Sequence, residues 1–329
     1  MYAFARDEAA AVPRPLSRAD QALIDIGQRL RAANYSFTTV TPETHRRVLA
    51  RPVAPSGANL RDVFGWNRPF KSGDVASAII DRLEEAGALC GDGDHLVSAV
   101  RFATCGGLLL LHSSYPTAES DAVFFGPDSY RFLRAIDETV STLPPPRRVA
   151  DIGTGSGAAA LMLGQRFPGA RVFAADINDR ALRVAALNAM LNGVTNVLPV
   201  KSDVMANLAG QFDLIVANPP YLVDPAQRQY RHGGGVFGAG LSLRILRDGV
   251  RRLSPRGRLV LYTGAAIVDG ADAFRVEAEA ALARTPWRVL DYREIDPDVF
   301  GEELDQPAYA AAERLAVVGL VAGPRASLL

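Results

Sequence analysis

The chain has 329 residues, 48% of them hydrophobic and 22% charged, with a formal net charge of zero, long enough for two domains and ordinary for a globular fold. That balance excludes a strongly basic nucleic-acid surface as a global property, and no window approaches the roughly 18 uncharged apolar residues of a membrane helix. Two cysteines, Cys90 and Cys105, are too few for a disulfide framework and lack metal-ligand spacing, so reduced thiols in the cytoplasm are expected.

Residues 1–15 carry Arg6, Asp7, Glu8, Pro13 and Pro15 without the apolar centre of a signal peptide, and read as a flexible start. Ser17 as a cap, with Leu23, Ile26 and Leu30 behind it, predicts a helix over 17–33. Thr41 and Pro42 open a second helix reaching about Leu49. Leu60, Val63 and Phe64 predict a third, and residues 75–83 a fourth, closed by Gly87. Two apolar runs, His95 to Ala103 and Leu108 to His112, flank Cys105-Gly106-Gly107 and predict a hairpin. Helix, helix and hairpin over 16–120 form a smaller α+β module that resembles a winged helix and is expected to recognise substrate. That topology often binds nucleic acid but also serves as a packing module, and the slightly acidic balance of the first 145 residues speaks for the latter.

From residue 121 the pattern changes. A helix from Tyr130 to Thr142 ends at Pro144-Pro145-Pro146, after which strand-like and helical runs alternate. The strands fall at Val149–Ile152, Arg171–Asp176, Asn196–Lys201, Phe212–Ala217, Arg258–Thr263, Trp287–Ile295 and Arg314–Val321. Such alternation predicts a second, α/β domain over 121–329, a doubly wound Rossmann-like sheet with helices on both faces.

The first of these strands runs into Asp151-Ile152-Gly153-Thr154-Gly155-Ser156-Gly157-Ala158. Glycines at alternate positions let the backbone turn tightly and approach a ligand at the amino end of the next helix. The stretch also satisfies the dinucleotide fingerprint G-x-G-x-x-G/A, so glycines alone leave NAD and other adenosine cofactors open. Three acids sharpen the reading: Asp151 suits a cationic amino group, Asp176 at the next strand end suits both ribose hydroxyls, and Asp203 at the one after suits an adenine amino group.

With these residues the chain resembles the class I S-adenosylmethionine-dependent methyltransferases over about 122–322. The resemblance implies S-adenosyl-L-methionine as cofactor, bound by Asp151, Gly153, Thr154, Gly155, Gly157, Asp176, Ile177, Asp203, Val204 and Asn218. It also implies that Phe125-Gly126-Pro127-Asp128 lines the methionine, through Pro127, and that the last strand runs antiparallel to complete seven strands. Asn218-Pro219-Pro220-Tyr221, closing the apolar strand Phe212–Ala217, is similar to the subgroup of methyltransferase small-domain and release-factor glutamine methyltransferase-like enzymes that methylate planar nitrogens of adenine, guanine or glutamine. In that reading the Asn218 side-chain oxygen and the Pro219 carbonyl hold the two N–H bonds of a poorly nucleophilic group. The prolines fix the turn, and Tyr221 stacks on the flat substrate. Neither a metal nor a covalent intermediate is required.

His232-Gly233-Gly234-Gly235 spells an esterase oxyanion motif, but no Gly-x-Ser-x-Gly elbow accompanies it. The loop from Tyr230 to Gly240 is expected instead to cover the substrate beside Pro220, with Arg231 and His232 touching it. The expected partner is therefore RNA or protein, with no membrane and no metal. A small-molecule N-methyltransferase and a noncatalytic cofactor-binding protein remain open alternatives.

Overall fold

A computed structural model describes residues 16–52, 57–93, 95–117 and 119–325; the flexible start expected over 1–15 lies outside the described residues. Four helices come first: α1 (Arg18–Ala32), α2 (Pro42–Leu49), α3 (Leu60–Phe64) and α4 (Ser77–Glu85). Their starts follow local chemistry. Ser17 and Asp20 form a reciprocal capping box on α1, Thr41 caps α2 ahead of Pro42, and Asn59 with Asp62 boxes α3.

The predicted strand from His95 to Ala103 is divided in two. Residues β1 (Leu89–Cys90) and β2 (Val97–Ser98) make one small antiparallel ladder, and β3 (Val100–Cys105) with β4 (Leu108–Ser113) makes another. The Ser98 side chain bonds the main chain of Val100, 2.7 Å to its carbonyl and 3.2 Å to its N–H, which replaces ladder bonds at the junction. A hairpin was expected here, and the larger one is β3–β4, turning through Gly106-Gly107, both at positive φ. It does not stand beside α4 as a wing. Leu109 and Leu111 enter the core formed by α1, α3 and α4, whereas Leu108 and Leu110 enter the core of the large sheet. The hairpin is thus a layer shared by two cores, each buried leucine contributing about 1.5–3 kcal/mol.

The remaining elements build that sheet. They are α5 (Pro127–Val140), β5 (Arg148–Ile152), α6 (Ala158–Arg166), β6 (Arg171–Asp176), α7 (Asp179–Leu191), β7 (Val197–Lys201), β8 (Phe212–Ala217), α8 (Gly240–Val250), β9 (Leu253–Val268), β10 (Ala271–Asp272), α9 (Ala273–Leu282), β11 (Trp287–Asp296) and β12 (Arg314–Pro324). Strand order is β11-β12-β9-β8-β5-β6-β7, with β10 a two-residue ladder folded back on β9. The strands β5 to β9 are parallel, while β12 runs antiparallel between β9 and β11, as expected for the final strand. Alternate side chains feed opposite cores: Val149, Leu214 and Val216 meet α5 and α6, while Ala150, Ile152, Ile215 and Ala217 meet α8.

The chain leaves β5 toward β6 and β7 on one side, then returns to lay β8 and β9 on the other. This reversal opens a crevice at the carboxyl ends of β5 and β8, where open α/β sheets bind ligands.

Candidate functional site

The residues at that crevice follow from strand register. Ile152 pairs with Ala217 across β5 and β8, so Gly153 and Asn218 leave adjacent strands side by side. Asp176 ends β6, and Asp203 follows β7 by two residues.

Gly153, Gly155 and Gly157 have φ of +70°, +54° and +81°, a conformation that L side chains rarely adopt. At Gly157 an added Cβ would also come within 2.9 Å of Ala185, so this glycine lets α6 and α7 approach. At Gly153 a Cβ would meet nothing within 4 Å, and at Gly155 only the Gly153 carbonyl at 4.0 Å. The outer side of the loop is therefore bare backbone facing open space, a cradle a ligand can enter.

The acids hold this loop in shape. Asp151 is 2% exposed and accepts from the Thr154 hydroxyl at 2.6 Å and the Ala160 amide at 3.1 Å. Burial pushes its carboxyl up to about 7, against those two hydrogen bonds. Asp176 accepts from Gly155 N–H at 3.0 Å and Asn178 N–H at 2.9 Å, and burial raises its pKa as well. Beside it Ile177 is 52% exposed, an apolar surface on the rim that suits a flat ring. The exposed Asp203 is clamped by Arg244 of α8 through two bonds of 2.8 Å. The next residue, Val204, is buried and adopts φ +51°. The loop, Asp176 and Ile177 fit an adenosine-bearing cofactor, with Asp151 beneath the loop.

Asn218 is partly exposed, and among the described residues no hydrogen bond occupies its carboxamide. Pro219 is buried, while Pro220 is partly exposed. Tyr221 departs from the sequence expectation. Its ring is only 8% exposed, its edge lies against Gly264, and its hydroxyl donates to Asp128 Oδ2 at 2.6 Å. Burial raises its pKa well above the ordinary tyrosine value. In this conformation the ring is part of the support beneath the turn and offers no stacking face.

Asp128 is itself buried in the first turn of α5, directly after Pro127, which is partly exposed. It accepts from Tyr221, from Tyr262 of β9 at 3.0 Å and from Arg131 at 3.1 Å, and Arg131 continues to Asp296 of β11 at 2.7 Å. This hub was not read from the sequence, where Asp128 stood before the expected helix as part of the segment lining the methionine.

Arg231 and His232 also depart from expectation. Arg231 pairs with Glu303, and His232 Nδ1 accepts the Asp224 N–H at 3.1 Å. Buried Asp224 is gripped by Arg228 at 2.7 and 2.8 Å, and these bonds hold its carboxyl down at about 2. In this structure both side chains fix the loop after Tyr221, Arg231 as the cationic partner of buried Glu303 and His232 as acceptor of a main-chain N–H. Phe124, 39% exposed and stacked on Tyr230 at 6.2 Å, lies at the same loop.

Among the described residues no group of three or more His, Cys, Asp or Glu is placed to hold a metal, and no helix is long and apolar enough to cross a membrane.

Residues 132–266 match the family model for the methyltransferase small domain, which supports a class I methyltransferase for this part of the chain. A release factor glutamine methyltransferase of Deinococcus radiodurans is 34% identical over 197 residues, covering 57% of this chain and 66% of that protein. A ribosomal protein uL3 glutamine methyltransferase of Xanthomonas campestris pv. campestris is 39% identical over 128 residues, or 36% of this chain and 42% of that protein. A tRNA1(Val) (adenine(37)-N6)-methyltransferase of Aeromonas hydrophila is 39% identical over 131 residues, or 37% and 54%. The matched stretches thus span between about two fifths and just under two thirds of these relatives.

Proposed function

We propose that the chain is an S-adenosyl-L-methionine-dependent N-methyltransferase acting on a planar amide or amino nitrogen of a macromolecule, within the Asn-Pro-Pro-Tyr subgroup. The observation that carries the reading is the unoccupied Asn218 carboxamide beside the open glycine cradle, on a turn set by two prolines. The matched relatives are named for glutamine and for adenine N6, and both groups present a flat NH₂.

When bound, the cofactor supplies an activated methyl group on a sulfonium. Gly153, Thr154, Gly155 and Gly157 offer backbone to it, Asp176 accepts from its ribose, Ile177 and Val204 border its adenine, Asp203 receives the adenine amino group, and Asp151 balances its amino group. Asn218 Oδ1 and the Pro219 carbonyl accept the two N–H bonds of the substrate. They orient its lone pair and stabilise the positive charge the nitrogen gains before it loses a proton. Pro127 and Pro220 border the entrance. Asp128, through Tyr221, keeps the turn rigid.

Residues 16–120 serve in this proposal as the substrate-recognition module, with residues 121–329 as the catalytic part, in the cytoplasm, where thiols such as the free Cys90 stay reduced. The test is tritiated methyl transfer into a lysate of cells lacking the protein, followed by ribonuclease or protease digestion. Label is expected in a macromolecular fraction with the intact chain and not with Asn218→Ala. Label confined to small metabolites, or none, would refute the proposal.

A further inference from the structure

Helix α7 lies along the free edge of β4, and two of its side chains read that edge as a neighbouring strand would. Asn188 Oδ1 accepts Leu111 N–H at 2.8 Å, and its Nδ2 donates to the Leu111 carbonyl at 3.0 Å. One turn later Asn192 repeats the pair on Leu109, at 3.0 and 2.8 Å. The spacings match because four helical residues advance about 6 Å and two strand residues about 6.8 Å.

The two asparagines are not equivalent. Asn188 is fully buried, and its Nδ2 also donates to the Ser156 carbonyl at 2.8 Å, inside the glycine loop. Asn192 Nδ2 instead returns to the Asn188 carbonyl on its own helix, at 2.7 Å. Ser156 sits between Gly155, whose N–H bonds Asp176, and Gly157, whose N–H bonds the Thr154 carbonyl at 2.8 Å. One buried carboxamide thus joins the hairpin, α7 and the glycine loop.

We infer that Asn188 is a positioning residue for the cofactor loop, fixing it through the Ser156 carbonyl and coupling its shape to the docking of the β3–β4 hairpin. The inference rests on the cofactor reading of that loop. A displaced β4 removes two of the three hydrogen bonds that orient the Asn188 carboxamide, leaving its bond to the Ser156 carbonyl without that support. Whatever engages the N-terminal part of the chain is then felt at the loop.

The test compares Asn188→Ala with Asn192→Ala in the full chain. Each removes one two-bond clamp on β4, but only the first frees Ser156. Two quantities are read: hydrogen exchange of the Thr154 to Gly157 amides without ligand, and the calorimetric Kd for S-adenosyl-L-homocysteine. Asn188→Ala should speed loop exchange and weaken binding about tenfold, the worth of one hydrogen bond. Asn192→Ala should leave both within about twofold on that scale, although both variants melt earlier. If Asn188→Ala does not fold, Asn188→Leu replaces it with the same expected result, since it fills a similar buried volume and offers no donor to the Ser156 carbonyl. Equal effects at the two positions, or unchanged loop exchange in the Asn188 variants, would overturn the inference. A wild-type chain that binds no S-adenosyl-L-homocysteine would overturn the cofactor reading instead, and the exchange comparison still decides the coupling by the same criterion.

Discussion

In the proposed function a single carboxamide, Asn218, separates a cofactor crevice from a methylating one. Its replacement by alanine leaves the glycine loop, Asp151 and Asp176 in place but removes one acceptor from the substrate nitrogen. The rate should fall on the order of 100-fold, as for loss of one preorganised polar group at a reacting centre, with cofactor Kd unchanged by calorimetry. Asp151 yields a pH prediction. Its folded pKa, pushed by burial to about 7, lies above the ordinary 3.8, so the folded chain keeps a proton that the unfolded chain releases. Its contribution to stability is complete below the unfolded value and is lost as pH rises through the folded one. The cofactor-free chain should therefore lose melting temperature between about pH 4 and about pH 7 more than Asp151→Asn does. The loop glycines and strand-end acids were legible in the sequence because their conformational freedom and charge are properties of residue type. The burial of Tyr221 was not, because a tyrosine after two prolines reads as a stacking face, and only tertiary packing against Gly264 and Asp128 shows it as a support.

At the level of elements, the turn after β8 is held from below by the start of α5. Removing the Tyr221 hydroxyl leaves Asp128 with Tyr262 and Arg131 alone. Tyr221→Phe should cost about 1–3 kcal/mol in denaturant unfolding, the range for a buried acceptor that loses a donor, and should lower the rate without changing cofactor affinity. Helix α5 begins at Pro127, three residues before the expected Tyr130. Proline in a first turn is a known start signal, but here the extended residues before it hid the boundary. The alternation from β5 to β9 was readable because buried parallel strands are near-continuous apolar runs bounded by helices. The division of residues 95–103 was not, since it depends on one serine side chain competing for backbone bonds.

For the whole molecule, the zero net charge and the engagement of Arg228, Arg231 and Arg244 with acids leave little cationic surface at the crevice. The KM for the macromolecular substrate should change by no more than roughly threefold between 50 and 200 mM salt, whereas an enzyme neutralising six or more phosphates would lose on the order of 1000-fold in affinity. The hairpin shared by two cores makes the N-terminal part and the sheet one packed body around the site. The most direct measurement is a crystal structure of the chain with the amino analogue sinefungin, whose amine stands where the transferred methyl would be. The account predicts that amine within roughly 5–6 Å of Asn218 Oδ1, one hydrogen bond plus one attack distance, with the carboxamide facing it. A ligand bound away from the glycine cradle, or an Asn218 turned from the amine, would contradict the account.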